Sequence, residues 1–493
     1  MSSSKNLLLL TSIAPILSGC IVGPDYQGAP VVPTETGFQR ADDTTTNTEP
    51  TARWWIALGD PELNHLIDTT LDTNPSVDVA RARVREARAN LRQQAATGLP
   101  TTGTTAAYLR TTNVSSLLGS GASGGPSSVV TNGSGNGAQG GLTRSSGALN
   151  LYAVGFDATW ELDFFGGNRR AVEGATDTVA ASEANVADAI VSLTAEVAQS
   201  YVQICDARQR LALTEQNINI ESHLVDLMKL RRGGGTATDL DVVRVINQLD
   251  TTRGMLPAIR ATIIEQLNRL AALTARAPGA LDAELANTGP VPEPPATTNI
   301  GDPAALLRRR PDIRVAERQL AQNTAAVGQS VAAEFPTVTL LGTVGFAATH
   351  PQDLFNGGTF TYLAGPVLQW TPWDFGRNRA RVDQANASRD EADAHYRQTV
   401  LNALADAETA LARYGQQRDE VSDLARARAS AEESYRLTEI RLHGGTAATM
   451  DVLDADTRRN QAALSYQQAL AQLTQDYVAL QKSLGLGWAA PSS

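Results

Sequence analysis

Few side chains in this sequence stand where covalent chemistry would need them. Five histidines, His65, His223, His350, His395 and His443, are scattered, which favours structural or surface roles over catalysis. The two cysteines, Cys20 and Cys205, lie far apart with no CxxC spacing, so neither a disulfide framework nor a zinc site is readable. The run "GSGASGG" lacks the preceding strand and the following Lys and helix of a phosphate loop. What remains is a pair of carboxylates. Asp451 and Asp454 in "GGTAATMDVLDA" fall three apart, hence on one helical face just after a Gly-Gly turn. Like carboxylates gathered on one axis would attract cations and repel each other; alone, the spacing favours a solvated pair. The chemistry on offer is electrostatic. No enzyme, cofactor or metal site is expected.

Cys20 has its own context. Lys5 precedes the apolar run "LLLLTSIAPIL", too short to span a bilayer as a helix and suited to the hydrophobic region of a secretory signal. The run ends in "LSGC", which looks like a lipobox, so residues 1–19 are expected to be removed and Cys20 lipidated. Ile21 follows, in place of the Asp associated with inner-membrane retention. At roughly 0.8 kcal/mol per buried methylene, several acyl chains would anchor this end firmly. Cys205 lies on an apolar helical stripe and reads as a packed thiol.

The carboxylates and the anchor must be positioned by something long. Of 493 residues, 42% are apolar but only 5% aromatic, which favours thin helical assemblies over one thick core. A formal charge of -11 argues against nucleic acid as a partner. The chain is also duplicated. "NPSVDVARARVREARANLRQQAATGLPTT" from Asn74 resembles "RPDIRVAERQLAQNTAAVGQSVAAEFPTV" from Arg310; Pro75 and Pro100 match Pro311 and Pro336 at an offset of 236. Further on, Gly166, Asn168 and Arg169 match Gly376, Asn378 and Arg379 at an offset of 210, as do the two GGT tips at Gly234 and Gly444. The missing 26 residues are an insertion in the first copy, where a Gly/Ser tract reads as an exposed loop.

Beside these loops the apolar period is two. Tyr152, Val154, Phe156, Ala158, Trp160 and Leu162 share one face of a strand; Val338, Leu340, Val344 and Phe346 repeat the pattern, as do Phe360, Tyr362, Leu368 and Trp370. A weaker strand after Pro100 shows Ala106 and Tyr108. Each copy thus holds one hairpin, four strands in all. Afterwards the period changes: Ile190, Val197, Ile204, Leu211, Ile218 and Val225 are seven apart, and Val400 to Val421 keep coiled-coil spacing. The spacing predicts a helix of about 65 residues from Gly167 to Arg231, roughly 95 Å long, a return from Asp239 to about Ala275, and a further helix from Pro303 to about Glu334. A Pro-rich segment, 281–302, interrupts the ascent and is expected to form a collar with the terminal segments.

The junctions "WELDFFGGNRR" and "WTPWDFGRNRA" sit where an oily-faced strand hands over to a polar helix. Trp160, Phe165, Trp370, Trp373 and Phe375 suit a membrane interface, and Gly166 and Gly376 permit the bend. Four strands cannot close, and an open edge in lipid costs several kcal/mol per unpaired backbone group, so the barrel must be shared between chains: two at least, or three for twelve strands.

Taken with "RWWIALGDPELNHLIDTTLDTNPSVDVARARVREA" and "DVLDA", this order of motifs resembles the outer membrane factor family, the TolC-like exit ducts of tripartite efflux pumps, in its lipoprotein (NodT-type) branch. The resemblance implies a mostly α fold with a transmembrane β-barrel: a homotrimer with a twelve-stranded barrel in outer-membrane lipid, continued by a coiled-coil periplasmic tunnel. It also implies a periplasmic membrane-fusion adaptor and an inner-membrane RND or other pump as partners, and export of drugs or other small toxic compounds. By resemblance Asp451 and Asp454, with Asp241 and Arg244 at the matching tip, form the periplasmic gate. The Tyr and Arg that assist closure in some relatives have no match, since Leu442 and Ala447 stand there; Arg244 or Arg441 is the substitute. The expected division is 1–19 signal peptide, 20–60 lipid-anchored segment, 61–280 first repeat, 281–302 linker, 303–486 second repeat and 487–493 tail. Two alternatives stay open: the same duct serving type I protein secretion, and a periplasmic coiled-coil adaptor, against which the four strands argue.

Overall fold

The structure, a computed structural model, describes residues 21–33, 37–111 and 149–488. Cys20, the signal segment and the Gly/Ser tract lie outside the described residues. The chain folds as two compact units, 1–28 with 88–177 and 321–391, and 29–87 with 178–320 and 392–493.

The first unit is built on one antiparallel sheet. Strands β2 (Thr101–Thr111), β3 (Leu149–Leu162), β5 (Thr337–Ala348) and β6 (Phe360–Gln369) pair in the order β2-β3-β5-β6. Directly opposed residues share a face. The register aligns Val154, Phe346 and Phe360 in one row, Phe156, Val344 and Tyr362 in a second, and Leu162, Val338 and Leu368 in a third. The predicted oily face is therefore continuous across three strands, and within one chain it is largely uncovered: Phe156 is 62% exposed and Tyr362 79%. Among the described residues β2 and β6 each keep one edge unpaired.

The second unit is helical. Helix α1 (Pro61–Thr73) starts on Asp60, whose Oδ1 accepts from the Glu62 and Leu63 amides, and it buries Leu63, Leu66 and Ile67. Helix α2 (Pro75–Thr97) follows a one-residue break and leads to β2. Helices α3 (Gly167–Gly233) and α4 (Asp239–Leu273) form the first hairpin, and α7 (Arg377–His443) and α8 (Thr449–Ser483) the second. At 67 residues, α3 and α7 are each roughly 100 Å long. Val197, Ile204, Val400, Ala407, Leu411 and Tyr414 of the predicted stripes are buried. Trp54, Trp55, Tyr201, Tyr414 and Tyr477 supply the large side chains of the core, with Trp54 edge-on to Tyr477. Glu221, almost fully buried, pins α3 to α4 by accepting from Gln248 and Thr252, and it also accepts from Asn217 of its own helix.

One expected element is corrected. The helix expected from Pro303 to about Glu334 is two, α5 (Pro303–Arg309) and α6 (Pro311–Ala332). Pro311 lacks an amide hydrogen and forces Arg310 into an extended conformation, as Pro75 does to Asn74. Both pre-proline side chains then serve the same end. Asn74 Nδ2 donates to the Leu273 carbonyl at 2.7 Å and Arg310 Nη1 to the Ser483 carbonyl at 2.8 Å, closing α4 and α8 respectively. The Pro-rich linker is fastened locally: β4 (Thr298–Asn299) pairs in parallel with β1 (Thr45–Thr46), and the Thr474 hydroxyl donates to the Pro292 carbonyl.

Candidate functional sites: helix tips and strand–helix junctions

The two tips turn by the same hydrogen bonds. Gly235, at φ +73°, ends α3 with the Thr236 amide donating to the Arg231 carbonyl; Gly445, at φ +71°, ends α7 with the Thr446 amide donating to the Arg441 carbonyl. A six-to-one bond closed by a left-handed glycine is the Schellman termination, which consumes carbonyls that the helix end leaves unpaired. Asp241 then opens α4. Its Oδ2 accepts from the Thr238 amide at 3.0 Å and hydroxyl at 2.7 Å, while Thr238 Oγ1 accepts from the Asp241 amide. The Thr238 amide above all, then its hydroxyl, with Arg244 contributing, holds this carboxyl below the usual carboxylate range.

Asp451 does the same at the second tip, where Oδ2 accepts from the Ala448 amide at 2.8 Å. Ala448 stands where the first tip has Thr238, so the return half of the capping pair comes from no side chain. Asp454 meets Arg458 at 3.0 Å, an exposed pair, and Arg441 donates to the Thr446 carbonyl of its own turn. The structure thus binds Asp241 and Asp451 to their own helix starts and pairs Asp454 with Arg458 one turn further along its helix. Among the described residues no hydrogen bond or ion pair joins Asp241 or Arg244 to Asp451 or Asp454. Any ring they form is a matter between chains.

The junctions likewise share one construction. Trp160 Nε1 donates to the Gly98 carbonyl at 2.9 Å and Trp370 Nε1 to the Glu334 carbonyl at 3.1 Å, tying each strand end to the turn after α2 or α6. Asp163 accepts from the amides of Asn168 and Arg169, and Asp374 from those of Gly376 and Asn378; the Asn378 amide above all keeps Asp374 below the usual range. Each long helix therefore starts on a carboxylate, with Gly166 at φ +82° and Gly376 at φ +87° making the bend. The aromatic side chains divide. Phe165 stacks on Phe335 at 4.5 Å, whereas Trp373 and Phe375 project, the latter fully exposed and held at φ +56°.

Sequence reasoning missed the clasp at the first junction. Residues 21–25 lie against it: the Val22 amide donates to the Phe165 carbonyl, a Cβ on Gly166 would stand 3.1 Å from Ile21 Cα, and Arg170, buried, donates to the Val22 and Gly23 carbonyls and to Asp25. The only available signal was that Arg170 matches an alanine, Ala380, in the other copy. Also missed was a cavity of about 450 Å³ lined by Asp188, Arg310, Asp312 and Lys482, where burial and then Asp312 raise the Asp188 carboxyl. Cys205 is buried, and desolvation pushes its thiol up to about 12, so it is inert. Among the described residues no cluster of three metal-ligating side chains forms, and no helix is long and apolar enough to cross a membrane.

Comparison with known proteins follows this architecture. The chain is similar to nodulation protein T of Rhizobium leguminosarum bv. trifolii, 28% identical over 473 residues, which is 96% of each chain. It is similar to the pyoverdine export outer membrane protein OpmQ of Pseudomonas aeruginosa, 30% identical over 439 residues, 88% of this chain and 87% of that one. The solved outer-membrane channel OprN superposes with a TM-score of 0.82 at 32% identity, covering 95% of this chain and 100% of that one. The family described as "Outer membrane efflux protein" matches residues 66–276 and 303–486. This chain, with its paired hairpins and paired helical tips, belongs to the outer membrane efflux protein family.

Proposed function

We propose that this protein is the outer-membrane exit duct of a tripartite efflux system, conducting small toxic compounds passively outward. The observation that carries this is, among the described residues, the four-stranded sheet with an uncovered oily face and two unpaired edges, continuous in sequence with helices of 67 residues. Three copies would close the sheet into a twelve-stranded barrel, leaving no edge in lipid, and would gather six helical hairpins into a periplasmic tunnel. The duplicated plan, 61–280 and 303–486 joined by 281–302, supplies two hairpins per copy. Cys20 carries the acyl anchor one residue before the segment clasped at Phe165 and Gly166. Trp160, Trp370, Trp373 and Phe375 mark the bilayer edge. A periplasmic adaptor and an inner-membrane pump supply the substrate and the energy.

At the far end the acidic tips form the gate. Three copies of Asp451 and Asp454, beside Asp241 and Arg244, place carboxylates around the axis, where they favour cations and, paired with Arg244 of a neighbouring tip, hold the tips closed. The purified full chain in planar lipid bilayers is expected to give discrete cation-preferring currents. Asp451→Ala with Asp454→Ala is expected to raise open probability and lower cation preference. A wild-type chain that conducts nothing rejects the duct; a double variant with unchanged currents rejects only the gate.

A further inference from the structure

Within one chain, α3 lies against α6, and the contact can be read turn by turn. A Cβ on Gly167 would stand 3.4 Å from Ala332 Cβ, and one on Gly174 3.6 Å from Ala325 Cβ. Between them Gly328 leaves the space that Arg170 fills, since a Cβ there would fall 2.8 Å from Arg170 Nε. One large guanidinium thus crosses one missing side chain, with its charge met by Glu173 at 2.8 Å and Asp25 at 2.6 Å.

The sequence offsets, 210 for α3 onto α7 and 236 for α2 onto α6, give every member of this contact a counterpart. Ala325 and Ala332 become Ala89 and Ala96 on α2; Gly167 and Gly174 become Arg377 and Gln384 on α7. At the middle turn the roles exchange. Gly328 becomes Arg92 and Arg170 becomes Ala380, so a guanidinium still faces a small side chain but now comes from the other helix. Glu173 keeps its charge as Asp383. These counterparts do not meet in one chain, because α2 leads into β2 and α7 leaves β6, the two opposite edges of the sheet. Ala89, Arg92, Ala96, Ala380 and Asp383 are all exposed, and neither Arg92 nor Asp383 has an ion pair within its own chain among the described residues.

The geometry points to a seam between copies in which α2 of one chain lies along α7 of the next, in the register of the in-chain α3–α6 contact, with Arg92 crossing Ala380 and pairing with Asp383. This rests on the three-copy reading above and adds the side chains that set the register. A second copy is the occupant because both halves of the seam belong to this chain, their charges are opposite, and the sheet edges beside them need the same partner. Arg377 and Gln384 in place of glycines make this seam more polar than its in-chain counterpart.

Cross-linking of the full-length protein in outer-membrane preparations tests it. Ala89→Cys with Gln384→Cys puts two thiols where the in-chain counterpart has its Cβ positions 3.6 Å apart, within disulfide range. After mild oxidation, non-reducing denaturing gels should show two-copy and three-copy species. Ala89→Cys with Arg377→Cys, displaced by two turns, should remain one copy. Ala96→Cys with Arg377→Cys is a second in-register pair should the first fail to assemble. Arg92→Glu should reduce the three-copy fraction, and adding Asp383→Arg should restore it. If the unsubstituted chain weighs three copies while neither in-register pair cross-links, or if the charge exchange fails to rescue, the seam is overturned and the duct stands. A one-copy mass in detergent overturns both.

Discussion

Asp241 and Asp451 each hold a local task at the start of a helix. Each spends one oxygen on the amide of the residue that precedes its helix, Thr238 or Ala448. The cap has a pH signature. Asp241 is held below its unfolded value of roughly 3.9, so its stabilising effect is fully present above that pH and is lost as pH falls through the lowered folded-state value. Hydrogen exchange at the start of α4, corrected for the intrinsic rate at each pH, should show protection constant from neutrality to about pH 4 and falling below it. Protection that does not change down to pH 2 would remove the assigned cap. Spacing places Asp451 and Asp454 on one helical face and only the family resemblance suggests a gate there; nothing in a single sequence shows that the first is a cap and the second pairs with Arg458.

At the scale of elements, duplication makes each half a control for the other. The two returning helices end alike, with the Arg276 amide donating to the Ala271 carbonyl and the Leu486 amide to the Gln481 carbonyl, but the left-handed position is Ala275 in one and Gly485 in the other. A Cβ at φ +56° costs about 1 kcal/mol relative to glycine. Ala275→Gly should therefore raise the thermal unfolding midpoint in detergent, and Gly485→Ala should lower it by more, because its Cβ would also fall 2.8 Å from Arg310 Cγ. Equal and opposite shifts would show that backbone strain alone acts there. The same comparison explains why periodicity predicts one helix across α5 and α6. The apolar period runs through Arg310, and only Pro311, whose effect on its predecessor outweighs periodicity, separates them.

For the whole molecule the governing fact is an unfinished sheet. Among the described residues, the oily face with Phe156, Tyr362 and Leu368 uncovered does not suit water, and the edges at β2 and β6 do not suit lipid; the proposed three-copy barrel would resolve both. Unheated samples in mild detergent should migrate as a three-copy species, and boiled ones as a single chain somewhat below the 52.2 kDa of the full sequence, because residues 1–19 are expected to be removed. A species at the single-chain position before heating would contradict the shared barrel.

Periodicity and repetition were enough, from the residues alone, to establish four strands, two long helical hairpins and matched junctions, because each depends on neighbours in sequence: alternation for a strand face, sevenfold spacing for a helical seam, glycine for a bend. The contacts between distant segments were not legible. Arg170 fills the space above Gly328 and holds Val22 to Asp25, Asn74 and Arg310 close the helices that return to them, and Glu221 joins α3 to α4. Local spacing encodes which face a side chain takes, but only the packed chain decides what that face meets, since the partners lie tens to hundreds of residues away and their pairing leaves no period behind.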